Sequence, residues 1–97
     1  MSEHVFVSAV LVAQNGKAEA LHEAIAEVVV PTRKEDGCIQ YAPHRCVTDD
    51  HRFLFFEEWT SQAHLDAHLA SAHLAVFRER VGGLLAGAPE VLVWRRC

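Results

Sequence analysis

The sequence lacks the run of roughly 18 to 20 apolar residues that a membrane-spanning helix needs, and Met1 to Val12 has neither a basic start nor a small-residue cleavage site. A soluble, cytoplasmic protein with no membrane partner is the expectation. Basic residues form no stripe longer than Arg95-Arg96, and the net charge is −4, which argues against a phosphate-neutralising surface and so against nucleic acid as a partner. Cysteine is scarce. Cys38, Cys46 and Cys97 are odd in number, widely spaced and without a CxxC pair, so neither a disulfide framework nor a zinc ribbon is indicated and reduced thiols are expected. The glycines of "GGLLAGAP" lack the GK[ST] ending of a phosphate-binding loop and read as a helix stop.

What is present is apolar and patterned. Apolar residues make up 51% of the 97, enough for one domain (residues 1–97) but a marginal core for a chain standing alone, which a homo-oligomer would relieve. Residues 4–13, "HVFVSAVLVA", are β-branched and apolar up to the turn pair Asn15-Gly16, and read as a buried first strand. From Lys17 to Val29, Leu21, Ile25, Val28 and Val29 fall on one helical face with Glu19, Glu23 and Glu27 opposite; Asn15 is available as a cap. Pro31 is expected to kink or end this helix, and Gly37 to close the connector after it.

Cys38 to Val47 reads as a strand interrupted by Pro43, hence an edge or bulged strand. A turn at Asp49-Asp50 would join it antiparallel to Arg52–Trp59. Period two puts Leu54, Phe56 and Glu58 on one face, and Phe53, Phe55, Glu57 and Trp59 on the other. Both faces are apolar, so helices must cover one side and something else, such as a partner sheet, the other. Thr60 or Ser61 caps a short helix to about Leu69, and Ser71 a second in which Leu74, Phe77, Val81 and Leu84 recur at helical spacing. "EVLVWRR" supplies the last strand. The order βαββαβ is the ferredoxin-like α+β arrangement, an antiparallel sheet with helices on one face.

The segments "PTRKEDGCIQYAPH" and "FFEEWTSQAHLDAHLASAHLAVF" together resemble the antibiotic biosynthesis monooxygenase family, and within it the small bacterial quinol monooxygenase branch. The resemblance rests on Pro31, the Glu35-Asp36-Gly37-Cys38 turn, Tyr41-Ala42-Pro43, Glu58-Trp59, Ala63-His64-Leu65, Ala67-His68-Leu69 and His73. It implies a dimeric α+β barrel, two sheets face to face, with a pocket in each subunit between sheet and helices. It also implies an activity: oxidation of a quinol or polyphenolic small molecule by dioxygen, without metal, haem or flavin. The same fold hosts haem-degrading enzymes and an isomerase of a phosphorylated signalling molecule. Haem-degrading members carry an asparagine on the first strand, then a tryptophan and a histidine ligand on the later helices. The first strand here has no asparagine, and the other two positions fall near His68 and Arg78, so haem degradation is disfavoured.

His64, His68 and His73 lie within ten residues. His64 and His68, four apart, share a helical face and make half a zinc site, but no HExxH glutamate or cysteine cluster completes it, so no metal is expected. His73 at the head of its helix suits the positive dipole end as a neutral ring, and His64 suits a solvent-facing position. His68 is placed to fold back over the strand that carries Glu58. That pair fits a proton carrier with an orienting carboxylate, and fits a structural buried pair equally. The catalytic candidates are therefore His68 and Glu58. Tyr41, Phe56, Trp59, His64, His73 and Phe77 are candidate pocket residues, the aromatic ones being also good core residues. A non-catalytic barrel that binds a small aromatic molecule needs the same pocket.

Overall fold

The computed structural model describes residues 3–97. Its elements are β1 (Val5–Val12), α1 (Ala18–Thr32), β2 (Cys38–Cys46), β3 (Asp49–Trp59), α2 (Gln62–Leu69), α3 (Ala72–Val81) and β4 (Glu90–Trp94). The four strands form one antiparallel sheet in the order β2-β3-β1-β4, the ferredoxin-like topology.

Alternation along the central strands decides which side the helices cover. On β1 the buried positions are Val7, Ala9 and Leu11, and on β3 they are Phe53, Phe55, Glu57 and Trp59. These face Leu21, Ala24, Ile25, Val28 and Val29 of α1 and Leu74, Phe77 and Val81 of α3, all of one core. Among the described residues no helix covers the opposite face. Phe6, Val10, Leu54, Phe56, Leu92 and Trp94 stand there in directly paired positions, with Leu54 and Phe56 still 37% exposed and Trp94 50%. Among the described residues no helix is long and apolar enough to cross a membrane.

Two local expectations are corrected. The first helix starts after Lys17 without a side-chain cap, so Asn15 does not serve as one. As expected of Pro31, the helix ends one residue past it, at Thr32, and closes in turn bonds from Lys34 N–H to Pro31 O and from Glu35 N–H to Thr32 O. The β2–β3 turn is Val47-Thr48 rather than Asp49-Asp50: Cys46 pairs with Asp49, so only two residues are left to reverse the chain. Pro43 does lie on an edge strand, where its missing N–H leaves no ladder bond broken.

The helices after β3 begin as serine caps dictate. Ser61 Oγ accepts the His64 N–H and Ser71 Oγ the Leu74 N–H. The connector before β2 is held against α2 by a close approach at Gly37. Its φ is +82°, and a Cβ there would fall 2.3 Å from His64 Cγ. Thr60 N–H donates to Gly37 O at 2.9 Å, so residues 33–37 are tied to the end of β3.

Candidate functional site

That tie carries Glu35 to the helices. Glu35 Oε2 accepts from His68 Nδ1 at 2.6 Å and from His73 Nε2 at 2.8 Å, gathering the connector, α2 and α3 on one oxygen. An ionised carboxylate only accepts, so His68 Nδ1 carries the hydrogen and a neutral ring offers its lone pair at Nε2. His68 is 2% exposed. The Trp59 indole stacks on it with centroids 4.6 Å apart, and the Tyr41 ring meets it edge-on at 5.4 Å. Burial pulls the imidazole pKa below its ordinary value; the Glu35 hydrogen bond and charge oppose that shift without cancelling it.

Beside His68 is a cavity of about 160 Å³ between the sheet and the helices. Its walls are mainly apolar: Val7, Ala9 and Leu11 of β1, Phe55 of β3, Leu65 and Leu69 of α2, Leu74, Phe77 and Val81 of α3, and Val91 and Val93 of β4. Tyr41, Glu57, His68 and Arg78 supply the polar groups. Glu57 is buried, and Trp59 Nε1 donates to its Oε1 at 3.0 Å. Burial pushes the Glu57 carboxyl up to about 7, and the Trp59 hydrogen bond only partly opposes this. Burial likewise raises the Tyr41 hydroxyl well above its usual range and, more modestly, the Cys38 thiol.

A sealed polar atom without a partner is rare in folded proteins, and Thr32 Oγ1 is the only side-chain case among the described residues. His68 Nε2 and Glu57 Oε2 have no hydrogen-bond partner either, yet neither is sealed. Both residues line the cavity, and these are the polar atoms on them left without a partner among the described residues. The site thus combines a base with a fixed tautomer, a buried carboxyl and an aromatic wall around a single-ring volume. An apolar cavity of about 150 Å³ is enough to hold benzene.

The family model for antibiotic biosynthesis monooxygenases matches residues 4–80. The chain belongs to that family. Among similar sequences, an uncharacterized protein of Synechocystis, sll1783, is 37% identical over 67 residues, covering 69% of this chain; the chain spans only 46% of that relative's length. The "Putative monooxygenase Rv0793" of Mycobacterium tuberculosis is 32% identical over 96% of this chain and 91% of its own. The "Probable quinol monooxygenase YgiN" of Escherichia coli is 32% identical over 67% of this chain and 70% of its own. Among solved structures, PA3566 from Pseudomonas aeruginosa superposes with a TM-score of 0.92 at 32% identity, covering 100% of this chain and 97% of that one.

On this monooxygenase-family fold, the residues singled out in the sequence part company. Tyr41 and Phe77 line the cavity together with His68. Trp59 does not reach it: fully buried, it backs the His68 ring. His73 joins His68 through Glu35, at the outer side of the cluster and 26% exposed. His64 is turned away. Its Nδ1 contacts Ser61 Oγ at 2.7 Å and Thr60 Oγ1 at 3.0 Å, and its ring covers Gly37, so it shares no ligand position with His68.

Two expectations fail by strand parity. Glu58 and Phe56 point to the helix-free face, where Glu58 Oε2 meets His4 Nδ1 at 2.7 Å and Phe56 stacks on Phe6 at 6.2 Å. The carboxylate that orients His68 is Glu35, and the carboxyl in the cavity is Glu57. Sequence reasoning missed both. Glu57 was within reach, since period two already grouped it with Phe55 and Trp59. Glu35 was singled out only within the Glu35-Asp36-Gly37-Cys38 turn of the family resemblance; lying 33 residues from His68 in an aperiodic connector, it gave no signal of that contact. Glu35, His68 and His73 also have the donor types of a two-histidine, one-carboxylate cation site, with ligand atoms within 4.8 Å of one another. In the conformation observed, Oε2 is occupied by both ring N–H groups.

Proposed function

We propose that the protein oxidises a quinol or related small phenol with dioxygen, without a bound metal, haem or flavin, and works as a homodimer in the cytoplasm. The observation that carries this reading is the free His68 Nε2 at the cavity, with Nδ1 held by Glu35. A neutral imidazole in that state removes a phenolic proton, and the resulting phenolate is electron-rich enough to pass an electron to dioxygen. The imidazolium formed is stabilised where it stands by the adjacent carboxylate, while the apolar walls keep water from the radical pair. Family membership and the quinol monooxygenase name of the YgiN relative support the reaction class. The helix-free, apolar face supports the dimer, since a monomer rarely leaves so many large apolar side chains on one exposed surface.

The test is oxygen uptake by protein treated with chelator and dialysed, against a panel of hydroquinones and anthrones, with each substrate's autoxidation subtracted. Uptake well above autoxidation for at least one substrate is expected. A rate no faster than autoxidation across the panel, with the same molecules still bound, would replace the enzyme by a binding module. Activity abolished by the chelator and restored by one metal equivalent would instead give the Glu35, His68 and His73 cluster a metal.

A further inference from the structure

The buried carboxyl of the cavity has no part in the proposed reaction. Glu57 lies on β3 between Phe55 and Trp59 on the helix-facing side, 5% exposed. Its only side-chain hydrogen bond among the described residues comes from Trp59 Nε1 to Oε1, and no cation pairs with it. Arg78, the one cation lining the same cavity, directs Nη1 to the Leu69 carbonyl. Burying an unpaired carboxylate is far more costly than burying the neutral acid, so the acid form is the one this wall supports below about pH 7. A neutral carboxyl has one O–H to give. Oε1 already accepts from Trp59, which leaves Oε2, unpaired among the described residues and not sealed, on a residue that lines the cavity.

We propose that Glu57 binds the ligand directly: as the neutral acid it donates a hydrogen bond from its free carboxyl oxygen to an oxygen of a single-ring phenol or quinone, and so selects such rings over hydrocarbon rings of equal size. This rests on the cavity being the substrate site. The carboxyl sets the chemistry: about 160 Å³ is room enough for one ring, and an apolar ring leaves the O–H without a partner. Glu57 is distinct from the base. His68 takes a proton, whereas Glu57 holds its own and marks where a ligand oxygen rests.

The test measures binding without turnover, using p-cresol and toluene as probes on the full chain by calorimetry, for wild type, Glu57→Gln and Glu57→Leu. Wild type is expected to bind p-cresol more tightly than toluene. Glu57→Leu should lose about tenfold in p-cresol affinity and none in toluene affinity, whereas Glu57→Gln, whose amide can both accept from Trp59 and donate to the ligand, should keep most of the preference. A second readout is infrared: p-cresol should shift a protonated-carboxyl band that Glu57→Gln lacks. A p-cresol preference unchanged in Glu57→Leu, or no infrared shift in wild type where p-cresol binds, overturns the role of Glu57 and leaves the cavity reading intact. Failure of wild type to bind either probe overturns the cavity reading itself, and the proposal with it.

Discussion

Glu35 Oε2 lies 2.6 Å from His68 Nδ1, and the same oxygen lies 2.8 Å from His73 Nε2. One carboxylate oxygen therefore sets the tautomer of the buried histidine and ties α2 to α3. If His68 is the base, His68→Ala lowers turnover on the order of 10² to 10⁴-fold with the fold retained. Glu35→Gln weakens the orienting bond and is expected to lower it about 10 to 100-fold, the range found when the carboxylate behind a metal-bound histidine is removed. Glu58→Gln, on the other face, should leave the rate near wild type. Burial holds the His68 pKa below its ordinary value and Glu35 opposes that, so the rate should rise with pH through an acid limb below about 6.5. Glu35→Gln should move the limb further down. Turnover per folded molecule unchanged in His68→Ala would reduce the histidine to a structural group.

The failure at Glu58 and the success on the rest of β3 have the same cause. Alternation is local and survives in sequence: Phe53, Phe55, Glu57 and Trp59 share a face because successive side chains of a strand point to opposite sides. Pairing Glu58 with His68 set that parity aside for proximity in sequence, as did placing Phe56 in the pocket. Ser61 and Ser71 were legible as caps for a similar reason, since the bond each makes is to a residue three further on. Glu35 was not legible. Its approach to His68 depends on Gly37, Thr60 and the His64 ring meeting in space, and no periodicity encodes that meeting.

That close approach is testable through glycine. Gly16 and Gly37 have nearly the same φ, +80° and +82°, but a Cβ at Gly16 meets nothing within 4 Å while one at Gly37 meets the His64 ring. Gly16→Ala should therefore cost only the backbone strain, about 1 to 2 kcal/mol, and Gly37→Ala distinctly more. Equilibrium urea unfolding compares the two. Adding His64→Ala should recover part of the Gly37→Ala loss by making room. Equal losses at the two glycines would show that the His64 packing contributes nothing.

The helix-free face predicts self-association. Phe6, Leu54, Phe56 and Trp94 sit together there, and sedimentation velocity at micromolar concentration should report a dimer. Phe56→Asp puts a charge in the middle of that face without entering the helix-covered core, and should weaken association on the order of 100-fold or more while leaving the circular dichroism of the subunit unchanged. A wild-type protein that stays monomeric at all concentrations would exclude the barrel.

Glu57 makes stability fall as pH rises. Its folded pKa, about 7, stands above the ordinary 4.5, so between these values the folded state binds more protons than the unfolded state. The stabilisation associated with the neutral buried acid is complete below about pH 4.5 and lost by about pH 7, a difference on the order of 3 kcal/mol at most. His68 works the other way: its depressed pKa makes the folded state harder to protonate, so its contribution is lost as pH falls below about 6.5. The two slopes oppose each other in the wild type, and the raw pH profile cannot separate them. The difference between wild type and Glu57→Gln does, because His68 is common to both. That difference, from urea unfolding at half-unit steps between pH 4.5 and 7.5, should move against the wild type as pH rises and level off above 7. A flat difference would mean that Glu57 is ionised in its wall throughout, and that the free carboxyl oxygen facing the cavity accepts hydrogen bonds rather than donating one.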